Sequence, residues 1–170
     1  FGEFVQWPLG ALTKKISTEA GDFAAGRNVV VSPVFGHKIS TFICYESVFP
    51  NFVRQFVAGG AEVLFNISND GWFGRSAARA QHLRIVRMRA AENRRWILRS
   101  TNDGITAMID PAGRVTQTIP PHRETSEILR YNYASDQTLY AMWGDWFPWL
   151  CLLAAAGFVW NALQRNVNAR

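Results

Sequence analysis

Two cysteines in 170 residues are too few for a disulfide framework. Cys44 and Cys151 also lie in segments of unlike character, the second inside an apolar run. Each reads as a free thiol. Free cysteine is most often a small buried hydrophobe, so neither is functional by default, and cysteine usage does not fix the compartment. Charge is sparse as well: 18% of residues are charged, below the roughly 25% of an ordinary soluble domain, while 48% are hydrophobic. That excludes a disordered tail or a polar linker. No His/Cys/Asp cluster has metal-ligand spacing and no glycine-rich phosphate loop follows a strand, so no metal and no cofactor are expected. No Met opens the chain, and Phe1-Gly-Glu-Phe-Val5 reads as the middle of an ordered region with residues cut away upstream. A formal charge of +5 favours anionic partners, phospholipid or nucleic acid. Neither a zinc-finger spacing nor a nucleic-acid recognition signature is present, which turns the expectation away from nucleic acid.

What is abundant is unevenly placed. Four of the seven Trp fall at Trp143, Trp146, Trp149 and Trp160, around an apolar run. From Trp146 to Leu163 only Asn161 is strongly polar and no residue is charged, close to the roughly 20 residues that a bilayer-crossing helix needs. Pro148 suits a first helical turn. The Trp-rich entry matches an interfacial belt, and Arg165 and Arg170 without an acid match a cytoplasmic flank, which puts the preceding domain outside. The alternative is a buried C-terminal core helix.

The remainder alternates strands and helices. A strand is expected over His37–Tyr45, a helix from Pro50 to Gly59-Gly60, and a strand over Ala61–Ser68, whose continuous apolar run suits burial on both faces. A helix over Ala77–Asn93 carries the stripe Leu83, Val86 and Ala90. Arg79, Arg84, Arg87, Arg89 and Arg94 crowd its other faces. Strands follow at Trp96–Thr101, Ile105–Asp110 and Val115–Ile119, the last two a hairpin through Pro111-Ala-Gly113, with a further strand at Ile128–Tyr133. The order βαβα followed by hairpins argues for a layered α/β domain.

Cys44 ends a strand just before a helix. Such corners hold a side chain up at the sheet edge, where backbone N–H groups favour a thiolate or an oxyanion. A nucleophile and a buried structural cysteine are both open readings. The loop Asn66-Ile-Ser-Asn-Asp-Gly-Trp-Phe-Gly74 reaches the same edge if the two strands are parallel neighbours. There Asn69 and Asp70 can cap or turn, and Trp72 and Phe73 either face a ligand or serve the core. Asn102-Asp-Gly104 reads as a hairpin turn that could add a third wall. Eight arginines between Arg75 and Arg99 read as a solvated helix face rather than a phosphate surface. His82 reads as structural.

Taken together, Phe1-Gly-Glu-Phe-Val5, Ile43-Cys-Tyr-Glu46, the 66–74 loop, Gln81-His82 with Met88-Arg-Ala90, Arg99-Ser-Thr-Asn-Asp-Gly-Ile-Thr106, and Leu139-Tyr-Ala with Gly144-Asp-Trp146 resemble the nitrilase superfamily. Within it they resemble the membrane-bound branch of apolipoprotein N-acyltransferases, in that family's order and across nearly the whole chain. The resemblance implies an α/β fold, an incomplete nitrilase-like α-β-β-α sandwich over residues 1–140, then a transmembrane helix over 143–163 and a cytoplasmic tail over 164–170. It implies a catalytic Glu, Lys and Cys, of which only the Cys is in this sequence; the Lys and the Glu belong ahead of Phe1. By resemblance, Cys44 is the nucleophile, Glu46 a supporting carboxylate, Glu3 an additional Glu, and Trp72 an aromatic beside the lipid site, with Tyr45 and Asn69 also against substrate. Gln6-Trp7-Pro8 departs from the family pattern, in which Pro follows Val sooner.

The implied activity moves a fatty acyl chain from a phospholipid, through a Cys44 thioester, to the N-terminal amine of a diacylglyceryl-cysteine lipoprotein. The implied setting is the bacterial inner membrane, with a monomeric protein whose catalytic domain faces the periplasm and whose C-terminus faces the cytoplasm. This sequence alone is expected to be inactive. The alternatives are a soluble carbon–nitrogen hydrolase (amidase), which uses water as acceptor and lacks the membrane helix, and a non-catalytic, membrane-tethered basic domain with an inert Cys44.

Overall fold

A computed structural model of the chain describes residues 26, 28–119 and 125–168. Among the described residues six strands form one mixed sheet in sequence order: β1 (Ser32–Val34), β2 (His37–Ile43), β3 (Val63–Ser68), β4 (Ile97–Thr101), β5 (Ala107–Ile109) and β6 (Val115–Thr118). β2, β3 and β4 are mutually parallel, while β1, β5 and β6 join antiparallel. Parallel neighbours need crossovers. Helix α1 (Pro50–Ala58) links β2 to β3, and α2 (Ala78–Asn93) links β3 to β4. Proline occupies the first turn of α1, where its missing N–H costs nothing. The helix stops at Gly59-Gly60, and Gly60 has φ +97°, open to glycine at little cost.

Both helices cover one face of the sheet. Phe42, Leu64, Ile97 and Ile109 project from the strands into a core with Val53, Phe56 and Val57 of α1 and Val86 and Ala90 of α2. Each of these side chains larger than alanine contributes about 1.5–3 kcal/mol by leaving water. Leu83 packs at the margin of this core. The opposite face carries Ile39, Ile43, Phe65, Ile67 and Leu98, half-buried or exposed. The expected burial of β3 on both faces holds at its start, where Val63 and Leu64 are both sealed, and fails toward its end, where Ile67 is 56% exposed.

Other expectations shift in detail. β2 ends at Ile43, two residues short of Tyr45, and Cys44–Val48 forms a 3-10 turn instead. No strand forms at 128–133, and residues 125–138 have no regular element. The arginines are not simply a solvated face. Arg89, Arg95 and Arg99 are buried, Arg95 donating from Nε to the Ala61 carbonyl at 2.7 Å. A buried guanidinium requires such acceptors, and the main chain between α1 and β3 supplies one.

After β6 the chain returns to the helical layer. The Thr138 hydroxyl accepts the Ala141 N–H at 3.0 Å and caps α3 (Leu139–Trp143), whose Ala141 is sealed against the core. Gly144 then turns with φ +61°, packed against the Arg54 guanidinium, and α4 (Trp146–Asn168) begins. Every side chain from 147 to 165 is exposed, so none of the described residues covers this helix. Residues 146–165 are long and apolar enough to cross a membrane.

Candidate functional site

The parallel register pairs Ile43 of β2 with Ile67 of β3, so the two strands end together and their following turns share one edge of the sheet. Cys44 is the first residue past β2, half-buried, with φ +47°. A non-glycine residue in the left-handed region costs of the order of 1–2 kcal/mol. Such a conformation persists only where its surroundings enforce it. Here the 3-10 turn that follows is tied from two sides. Glu46 reaches back so that its carboxylate accepts the Ile43 N–H at 2.6 Å. From α2, His82 Nε2 lies 3.1 Å from the Cys44 carbonyl oxygen and 2.9 Å from Ser47 Oγ. Arg89 Nη1 lies 3.5 Å from the Ser47 carbonyl oxygen.

Beneath the turn is a buried polar network. Asp70 opens the 3-10 turn Asp70–Phe73 after β3, and its Oδ1 accepts Ser68 Oγ–H at 2.6 Å and lies 2.9 Å from His82 Nδ1. Its Oδ2 accepts Arg99 Nη2–H at 2.6 Å. Arg99 Nη1 donates to the Asn66 side-chain oxygen, and the Asn66 amide donates to the Phe42 carbonyl at 3.2 Å. Burial pushes the Asp70 carboxyl up. The Ser68 hydroxyl and the Arg99 charge and hydrogen bond, with His82, outweigh it and hold the group below the usual carboxylate range. Arg99 is drawn below its ordinary value by burial, opposed by Asp70. A guanidinium stays charged regardless, so the two form a fully buried ion pair. Gly104 makes room for it: a Cβ there would stand 2.1 Å from Asp70 Oδ2.

The rim of this edge is built from the two loops. Asn69 Oδ1 accepts the Gly71 N–H at 3.1 Å and the Asn102 amide at 2.7 Å, and Asn102 Oδ1 accepts the Asp70 N–H at 3.1 Å. The Asn102-Asp-Gly104 turn is thus both the β4–β5 connection and a wall of the site. Tyr45 and Trp72 stand exposed, Trp72 to 85%, while Phe73 packs edge-on against His82 at 5.6 Å. Alongside, Arg75, Ser76, Arg79 and Asp103 line an open cavity of about 530 Å³, with Arg79 paired to Asp103.

Cys44, Tyr45 and Glu46 therefore share one turn, and Asn69 and Trp72 occupy the next turn at the same edge. Glu3 lies outside the described residues. Glu46 is engaged with the main chain. Among the described residues no three His, Cys, Asp or Glu side chains converge as metal ligands. Ser47, Asp70, His82 and Arg99 carry more of the geometry than their sequence reading allowed. The available signal was polar residues inside otherwise apolar strands, Asn66 in β3 and Arg99 in β4.

A family profile described as carbon-nitrogen hydrolase matches residues 6–135. The chain is 35% identical over 169 residues to an apolipoprotein N-acyltransferase of Geobacter metallireducens, covering 98% of this chain and 32% of that protein. It is 38% identical over 170 residues to one of Pseudomonas putida, covering 98% of this chain and 33% of that protein. The chain thus spans about a third of the length of these curated relatives. In fold it resembles Nit3 of Saccharomyces cerevisiae, a nitrilase-superfamily protein (TM-score 0.53, 18% identity, 59% of this chain and 40% of that chain). It also resembles a carbon–nitrogen hydrolase superfamily protein of Xanthomonas campestris (TM-score 0.50, 24% identity, 61% of this chain and 43% of that chain).

Proposed function

The chain belongs to the carbon–nitrogen hydrolase family, and from that premise we propose that it forms the nucleophile-bearing part of a membrane N-acyltransferase. In this reading residues 1–140 belong to the catalytic domain, 143–163 cross the bacterial inner membrane, and 164–170 lie in the cytoplasm, with the domain on the periplasmic side. The observation that carries it is the half-buried Cys44 in a left-handed backbone at the sheet edge, in one chain with the exposed apolar helix α4.

The chemistry has two steps. The Cys44 thiolate attacks the ester carbonyl of a phospholipid; the C–S bond forms, the ester C–O bond breaks, and the departing alkoxide takes a proton to leave as lysophospholipid. The N-terminal amine of a diacylglyceryl-cysteine lipoprotein then attacks the thioester. A C–N bond forms, the C–S bond breaks, and the amine's proton passes to a base. The Tyr45 N–H, next after the nucleophile, is a donor for the tetrahedral oxyanion. Glu46 holds the turn through the Ile43 N–H, and the resemblance assigns the base and the stabilising ammonium to a Glu and a Lys ahead of Phe1. Trp72, with Tyr45 and Asn69, faces the lipid substrates, and Glu3 joins the site. No cofactor takes part.

Both substrates are lipid-anchored. A spanning helix that keeps the nucleophile at the interface turns a three-dimensional search into a local one. The amidase alternative leaves the exposed apolar surface of α4 without a use, which favours the membrane enzyme. The test supplies the full-length protein with phospholipid vesicles and a peptide bearing an N-terminal S-diacylglyceryl cysteine. N-acylated peptide and lysophospholipid in equal amounts are expected. Free fatty acid with an unmodified peptide would make water the acceptor and favour a hydrolase.

A further inference from the structure

The nucleophile reading leaves one buried imidazole unused. His82 is 3% exposed, sits on α2 rather than on the Cys44 turn, and has all its polar contacts inside the protein. We propose that His82 is a positioning residue that holds the Cys44 carbonyl and thereby keeps the nucleophile's backbone in its left-handed conformation. This inference rests on Cys44 being the nucleophile.

The hydrogen-bond roles follow from the partners. A carbonyl oxygen can only accept, so the Nε2 that lies 3.1 Å from the Cys44 oxygen carries a proton. The same nitrogen lies 2.9 Å from Ser47 Oγ, three residues further round the turn, so one donor spans the turn's first and fourth residues. On the other side of the ring, Nδ1 faces Asp70 Oδ1 at 2.9 Å and Arg99 Nη2 at 3.2 Å. Nε2 donates when Nδ1 accepts from Arg99, or when both ring nitrogens carry a proton and Nδ1 donates to Asp70; either arrangement fixes the ring plane. Asp70 is itself fixed by Ser68, by Arg99 and by Asn102, and Phe73 closes the remaining ring edge. The chain of contacts runs from the β4 strand through a buried carboxylate and an imidazole to the main chain of the nucleophile.

The consequence is mechanical. Returning Cys44 to the ordinary right-handed or extended region would rotate its carbonyl away from Nε2 and re-aim the sulfur at once. An aim held within a fraction of an ångström matters because misplacement by about 1 Å can cost on the order of 100-fold in rate. His82 does not touch the sulfur in this arrangement, so its part is orientation and not proton transfer.

The experiment uses the full-length protein and two rate constants, each normalised to the sites titrated by the thioester burst: thioester formation from phospholipid, and alkylation of Cys44 by iodoacetamide. His82→Ala is expected to lower both by at least about 10-fold, with KM for the phospholipid within about twofold of the parent. His82→Gln, whose amide can still donate to the Cys44 carbonyl, is expected to recover most of the loss, and it carries the test should His82→Ala fail to fold. Unchanged rate constants per titrated site in His82→Ala, or a loss of about 10-fold or more in His82→Gln, would overturn the proposal, since a merely structural histidine alters the number of sites and not the rate of each. Cys44→Ala run in parallel separates the two claims. Transfer that survives it removes the nucleophile itself, whereas transfer abolished by it alongside an unchanged His82→Ala or a crippled His82→Gln removes the positioning role alone.

Discussion

Asp70 and Arg99 form an ion pair of 2.6 Å whose side chains are both sealed from solvent, at the carboxyl ends of two parallel strands. Taking two charges out of water is costly, and the pair is tolerable because Ser68 and His82 engage the other carboxylate oxygen and Asn66 the other terminal guanidinium nitrogen, while Arg99 Nε has no hydrogen-bond partner. Removing one partner strands the other. Arg99→Met should therefore destabilise the fold by about 3–5 kcal/mol, read from urea denaturation, and adding Asp70→Asn should restore part of the loss. A loss below about 1 kcal/mol would mean that water reaches the pair.

The same carboxylate gives stability a pH dependence of known sign. Asp70 and Asp110 are both held below the ordinary carboxylate range in the folded protein. In the unfolded chain they bind protons first, so their contribution is complete above the unfolded value of about 4 and is lost as the pH falls through the folded values. Urea midpoints should fall steadily below about pH 4, and the decline should be shallower in Asp70→Asn. A midpoint that rose on acidification would contradict this account.

Gly104 is dictated by Asp70. A Cβ at that position would stand 2.1 Å from Oδ2 and 2.7 Å from Cγ of the carboxylate, with no flexible side-chain tip able to move aside. Gly104→Ala should lower stability by about 1–3 kcal/mol and slow the acylation step by disturbing the network under Cys44. Thermal unfolding and burst kinetics measure the two effects separately.

Trp72 offers the opposite case. It is 85% exposed, so Trp72→Ala should change stability by less than about 0.5 kcal/mol. Under the proposed lipid-facing role of Trp72, the same substitution should raise KM for the phospholipid severalfold. An unchanged KM would remove it from the substrate surface.

Helix α4 can be tested without an assay of catalysis. Leu153, 71% exposed near the middle of the apolar run, should tolerate Ala. Leu153→Arg should cost about 2.5–3.5 kcal/mol at the bilayer centre and raise the share of protein released from membranes by alkaline carbonate. Equal release of both variants would argue that the helix does not span.

How far these features could be read beforehand depended on whether the signal was local. Pro50 and Gly59-Gly60 bracket α1 because proline and glycine act through their own backbone, and the strand-end position of Cys44 followed from the β-branched run before it. Residues 128–133 have strand-like composition but no strand forms there, because partner strands set pairing and composition alone does not. Ile67 was misjudged for a related reason. An apolar residue in a strand does not reveal which face has a cover. The burial of Arg95 and Arg99 is illegible in the sequence since each depends on an acceptor distant in it, Ala61 and Asp70, whereas Arg89 has a near one in Glu92 at 2.7 Å. His82 belongs with them, its partners lying 12 to 38 residues away.

The central claim is that Cys44 carries the acyl chain. The most direct measurement is mass spectrometry of the Cys44 peptide from the full-length protein after brief exposure to a phospholipid of defined chain without acceptor. The account predicts a mass increase equal to that acyl group on Cys44, removed by neutral hydroxylamine and discharged by the diacylglyceryl-cysteine peptide. An unmodified Cys44 in an enzyme that goes on to transfer the chain, or transfer undiminished by Cys44→Ala, would contradict it.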